Sequence, residues 1–115
     1  MVYIEDTVAA ATAVVGYNLA QGKYYQTAAR LRRIVAFGLT GSTNPGDTAI
    51  EIFYGTTKIA EVRNSTGGAN VTPKKDDMKV LNSDMMSEPG EPLNLLVKVA
   101  PTTNALFWAF DLEEI

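Results

Sequence analysis

The sequence predicts an all-β domain: an antiparallel β-sandwich of about seven to eight strands, with a jelly-roll-like arrangement as first choice. Three observations predict it. Several short runs alternate apolar and polar residues at the period of a half-buried strand. Clusters of Gly, Pro, Asn and Thr separate those runs at regular spacing, which is turn chemistry. No stretch carries an uncontested helical period.

Residues 1–29 form an N-terminal arm or a first hairpin. Asp6 or Thr7 could cap a helix over residues 8–21, closed by Gly22. Against that, Val14, Val15 and Tyr17 are better strand formers and Gly16 weakens a helix interior. Two strands are favoured here, with Gln21-Gly22 turning into Lys23-Tyr24-Tyr25. From Arg30 to Thr40 one strand is expected. Leu31, Val35, Phe37 and Leu39 then share one face, and Arg30, Arg32, Ile34, Ala36 and Thr40 the other. After the turn-rich Gly41–Asp47, Thr48–Tyr54 carries Ile50, Ile52 and Tyr54 on one face. Gly55-Thr56-Thr57 turns it into Lys58–Arg63, a hairpin.

Residues 64–92 read as irregular, with short strands expected at Val71–Pro73 and Met78–Leu81. The prolines of residues 84–92 keep that stretch out of a sheet centre. Leu93, Leu95, Val97 and Val99 alternate cleanly, as do Leu106, Trp108, Phe110 and Leu112. With Pro101-Thr102-Thr103-Asn104 between them, they read as the longest and most apolar hairpin of the chain. The expected core is Leu31, Val35, Phe37, Ile50, Ile52, Leu95, Val97, Leu106, Trp108 and Phe110.

At 115 residues the chain makes one domain, residues 1–115, large enough to fold on its own core. It contains no cysteine and no histidine, which excludes disulfides, thiolate sites and the usual general base. A net charge of −3 makes nucleic acid an unexpected partner, since that role needs a broad basic face. Residues 1–20 show no basic n-region of a secretion signal, and the apolar run Val8–Leu19 is too short to span a bilayer. The expected setting is the cell interior or a virion, with no membrane and no cofactor.

Chemical signals are few. Glu51 and Glu61, on strands taken as partners, have the form of an acid–base pair for a glycosidic bond, but outward-facing strand residues explain them as well. Asp76-Asp77 with Asp84 or Glu88 offers oxygen ligands to calcium, yet matches no EF-hand spacing and is flanked by Lys74, Lys75 and Lys79. Trp108, Tyr24, Tyr25, Tyr54 and Phe107 are candidates for an aromatic platform under a sugar, although Trp108 is in phase with the core. Two glycosylation triplets, at Asn64 and Asn70, carry little weight without a secretion signal. No catalytic residue and no metal ligand is assigned.

The strands are apolar on both faces: Phe53 opposes Ile52, and Phe107 lies within an unbroken run from Ala105 to Phe110. A sandwich wets one face of each strand, so Phe53 and Phe107 need a second cover, a loop or a neighbouring subunit. A neighbour is the favoured cover. Arg30, Arg32 and Arg33 are then expected to meet carboxylates such as Glu113 and Glu114 across the subunit contact.

The segments RRIVAFGLTGSTNPGDTAIEIFYGTTKIAEV (Arg32–Val62) and LLVKVAPTTNALFWAFDLEEI (Leu95–Ile115) resemble, in style, the small β-sandwich proteins that build or decorate virus particles. The resemblance rests on short strands, Thr/Asn/Gly loops and the lack of His and Cys chemistry. It implies a structural protein, a capsid, vertex or decoration component forming a symmetric homo-oligomer, with other capsid proteins as further partners. The alternative is a carbohydrate-type ligand-binding sandwich, and after it a small hydrolase using paired carboxylates.

Overall fold

Seven strands form among the described residues of the structure, a computed structural model that describes residues 1–82 and 84–115. They are β1 (Val2–Val8), β2 (Arg32–Gly41), β3 (Ala49–Tyr54), β4 (Thr57–Arg63), β5 (Lys79–Val80), β6 (Leu93–Val99) and β7 (Leu106–Glu114). Every pairing between strands is antiparallel. One sheet has the order β1-β7-β2-β5 and the other β4-β3-β6. Residues 16–19 extend the second sheet by a single bridge, Asn18 opposite Leu96, with Leu19 and Val97 donating across it.

The pairings are nested: β3 with β4, β2 with β5, residues 16–19 with β6, and β1 with β7. Nesting of this kind describes one long antiparallel ribbon doubled on itself. Rolling the ribbon sets β7 beside β2 and β6 beside β3, and the result is a jelly roll whose second strand has shrunk to a bridge.

The inward faces build one core. Phe37 stacks on Phe110 at 5.6 Å, and Tyr25 meets the same ring edge-on at 5.3 Å. Trp108, Leu39, Ile50, Ile52, Leu95 and Leu106 are buried around them. Each such side chain contributes roughly 1.5–3 kcal/mol by leaving water.

Four expectations need correction. The apolar runs Leu93–Val99 and Leu106–Leu112 are not a hairpin: β6 lies in one sheet and β7 in the other. Both edges of β7 are taken by β1 and β2, and the linking residues 100–105 are tied to the Ser42–Thr43 corner through Asn104 and Thr102. In the N-terminal arm the first strand comes early, at Val2–Val8. Val14 and Val15 are exposed, and Lys23–Tyr25 is a turn, not a strand.

The third correction concerns β2, whose strand phase flips at Val35. A bulge separates Ile34, opposite Leu112, from Ala36, opposite Asp111. Arg32 and Ile34 therefore point inward with Phe37 and Leu39, while Leu31 and Val35 are only half-buried. At the bulge the Ile34 N–H donates to the Tyr54 hydroxyl of the opposite sheet (2.7 Å).

The fourth is that Val71–Pro73 is no strand. It belongs to a loop, residues 64–78, that crosses the outer face of β2. Thr40 donates its hydroxyl to the Val71 carbonyl and bridges Thr66, and a side chain at Gly38 would collide with Met78 and Pro73. Glycine at 38 is what lets this loop lie flat. Asn64 pins its start: Oδ1 accepts from Thr48 N (2.9 Å), while Nδ2 donates to the carbonyls of Gly41 (2.9 Å) and Asn44 (2.8 Å).

Candidate functional site

The predicted contact residues end up in three different environments. Phe107 lies on the outer face of the first sheet between Thr7 and Thr40 and is half-buried within its own chain. The chain thus supplies part of the cover that a neighbour was expected to provide. Phe53 lies half-buried on the outer face of the second sheet. The two rings are on opposite outer faces of the sandwich and form no common patch.

The arginines separate in the same way. Arg30 is exposed. Arg33 pairs with Glu113 of its own chain at 3.3 Å, because the β2–β7 register sets the two opposite each other. Glu114 is exposed and opposes Arg32 in that register.

Arg32 itself is an internal residue, only 2% exposed. Its guanidinium donates to the carbonyls of Tyr25 and Gln26 (2.6 Å each), and among the described residues Nε has no hydrogen-bond partner. Burial first of all pulls its pKa below the ordinary arginine value, against the influence of Glu114. A residue so placed cannot meet another subunit. It fastens the 20–31 crossover to the end of the core, and the signal that would have revealed it was the bulge at Val35.

The other chemical candidates also resolve. Glu51 and Glu61 do come face to face across β3 and β4, but both carboxylates are tied up in ion pairs with lysines. Lys58 contacts Glu51 at 2.6 Å and Glu61 at 3.6 Å, and Lys98 donates to Glu61 at 2.7 Å. The bond from Lys98 holds the Glu61 carboxyl below its usual range, the opposite of what a proton-donating acid needs. Asp77 is engaged by the Lys74 N–H (2.8 Å) and the Ser65 hydroxyl (2.9 Å) around a short 3-10 turn. Among the described residues no cluster of acidic side chains is arranged to hold a metal ion. Tyr25 and Trp108 are buried, while Tyr24 is 82% exposed.

Two surface features remain along β6. At its C-terminal end the Gly16 N–H donates to the Val97 carbonyl, just after Val14 and Val15 in a turn closed by the Tyr17 N–H on the Val14 carbonyl, and Val99 ends the strand. All three valines are exposed, at 58%, 67% and 37%. Along the outer face of β6 lies a groove of about 500 Å3, floored by Phe53 and Leu96 and edged by Gly16, Asn18, Gln21, Thr56 and Asn94. Asn18 Nδ2 donates to Asn94 Oδ1, and Asn94 Nδ2 donates to the Gly55 carbonyl, 2.8 Å in each case. Asn18 Oδ1 accepts from the N–H groups of Ala20 (3.1 Å) and Leu95 (3.0 Å). Neither feature was legible in the sequence, since residues 16–21 had to be placed against β6 first.

The free edge of β1 is a third element of the surface. β1 pairs with β7 on one side and with no strand on the other among the described residues. Its centre is Glu5-Asp6; Asp6 shares the inward phase of Ile4 and is held by Lys23 (3.1 Å) and the Tyr25 hydroxyl (3.1 Å). Inward-pointing charge on an edge strand opposes pairing with another sheet. Among the described residues, no helix is long and apolar enough to cross a membrane. Compared with family models, with curated proteins and with solved structures, the chain matches none.

Proposed function

We propose that this chain is a non-enzymatic structural subunit that assembles with copies of itself into a closed, symmetric oligomer. A shell or decoration element of a virus particle is the setting that agrees best with the style of its strands and loops. The observation that carries the reading is the rim of Val14, Val15 and Val99. Three exposed β-branched residues, Val14 and Val15 on the turn that leads into Gly16 and Val99 at the end of β6, lie outside a core that is already complete without them. Apolar side chains left exposed beyond what the core uses favour association, and closed symmetry repeats their burial at every contact. The jelly-roll topology supports the reading, because shell proteins are among its users; fold alone decides nothing.

This reading moves the contact away from Phe53 and Phe107. It also keeps the contact off the β1 edge, where two-fold antiparallel pairing centred on Glu5 would oppose like charges. The test compares variants in a sedimentation experiment at matched concentration. Val15→Asp should shift the protein to monomer with its circular dichroism unchanged, while Phe107→Asp, at a half-buried position, should lower stability without dissociating the assembly. Equal association of wild type and Val15→Asp would dismiss the rim as the contact.

A further inference from the structure

We propose that the groove over Phe53 is a binding site for a neutral saccharide, independent of self-assembly. No charged side chain lines it, so it has nothing with which to hold a phosphate, a carboxylate or an ammonium group. Its floor is one aromatic ring and one leucine, a surface suited to the C–H face of a pyranose. Its edge is amide and hydroxyl, groups that can both donate to and accept from a sugar hydroxyl. The volume of about 500 Å3 falls within the usual range for small-molecule sites, about 300–1,000 Å3.

The amides are held in place before any ligand arrives. Asn18 Oδ1 is filled by two backbone N–H groups, which fixes the plane of the side chain and leaves one N–H of Nδ2 uncommitted. Asn94 keeps one N–H and one lone pair beyond its bonds to Asn18 and Gly55. The Gln21 amide and the Thr56 hydroxyl are exposed and make no hydrogen bond among the described residues. Asn18 comes from the arm, Asn94 from β6, and Phe53 with Thr56 from the β3–β4 hairpin. Three separate parts of the chain therefore converge on one rigid donor row above an apolar floor. Such preorganisation lowers the ordering cost of a weak ligand. The charged cluster of Glu51, Lys58, Glu61, Arg63 and Lys98 lies on the same outer face, its carboxylates already paired, and none of its members lines the groove. Gly16, next to Val15 in the chain, also lines the groove, while none of the three exposed valines does.

The experiment is a titration of the full chain with methyl glucoside, galactose and N-acetylglucosamine, followed by proton–nitrogen NMR of the side-chain amides. At least one of these sugars should give saturable shifts at Asn18, Asn94 and Gln21 with a dissociation constant on the order of 1 mM. Phe53→Ala should weaken that binding at least about tenfold, a loss of roughly 1.4 kcal/mol. Gln21→Ala, at an exposed position where folding is not at stake, should weaken it a few-fold. Val99→Asp, at an exposed valine that does not line the groove, should leave it unchanged, which separates this site from the assembly contact. No saturable shift with any of the three sugars overturns the proposal, as does equal binding by a folded Phe53→Ala protein. Tighter binding of glucose 6-phosphate than of its neutral parent would overturn the neutral-ligand assignment. If Phe53→Ala fails to fold, the wild-type and Gln21→Ala titrations decide.

Discussion

Replacing Arg32 by alanine separates the two roles this residue can be given. If it is internal, truncation removes two charge-assisted hydrogen bonds of 2.6 Å and leaves the Tyr25 and Gln26 carbonyls without those donors. An orphaned buried acceptor costs about 1–3 kcal/mol. Relief from burying a guanidinium with an unpartnered Nε returns part of that loss. The net cost is expected to be roughly 3 kcal/mol, out of a typical total of about 5–15. For a domain of this size it should lower the melting temperature by roughly 10–20 °C. Arg32→Lys should recover little, because an ammonium cannot span two carbonyls as the guanidinium fork does. Urea unfolding followed by circular dichroism measures the loss. A variant as stable as wild type that had lost self-association would refute the internal role and restore Arg32 to the subunit contact.

Three further outcomes follow from the same structure. Asn64→Ala should cost about 3 kcal/mol in urea unfolding, since Thr48 N and the Gly41 and Asn44 carbonyls lose partners together; Asn64→Asp, which keeps the acceptor but not the donors, should do no better, and its recovery to wild-type stability would refute the account. Glu5→Val should make the protein associate through β1 at high concentration, visible as thioflavin binding or light scattering, and a variant as soluble as wild type would show that Glu5 does not guard that edge. Burial pushes the hydroxyls of Tyr25 and Tyr54 above the ordinary value of 10.0. Their folded pKa is raised, so their contribution is fully present below pH 10.0 and is lost as the pH climbs toward the folded values. Phenolate absorbance should show both rings titrating only as the fold opens, and simple reversible titration of every tyrosine near pH 10.0 would contradict it.

The alternation rule made the fold class legible because it works strand by strand. Ile50, Ile52 and Tyr54 are buried as their period requires, and so are Leu106, Trp108 and Phe110. The β3–β4 hairpin was readable from its short turn alone. What the rule cannot carry is a break in phase: one extra residue at Val35 turned Arg32 from an exterior cation into a core residue. Nor does it say which strands pair. Two clean runs joined by turn residues look alike whether the link reverses the chain within one sheet, as at Gly55, or carries it to the other, as at residues 100–105. The groove and the rim were hidden for a related reason. Both depend on residues 16–19 lying along β6, a contact made by one bridge and a few backbone bonds rather than by any hydrophobic period. The glycosylation triplet at Asn64 was visible, but not that its side chain is 3% exposed and fully committed to the loop.

The central claim is self-assembly, and sedimentation equilibrium of the wild-type chain over a wide concentration range tests it most directly. The account predicts a discrete mass that is an integer multiple of 12.4 kDa, falling to a single copy for Val15→Asp. A wild-type protein that stays at 12.4 kDa up to high micromolar concentration, with no partner present, would contradict it.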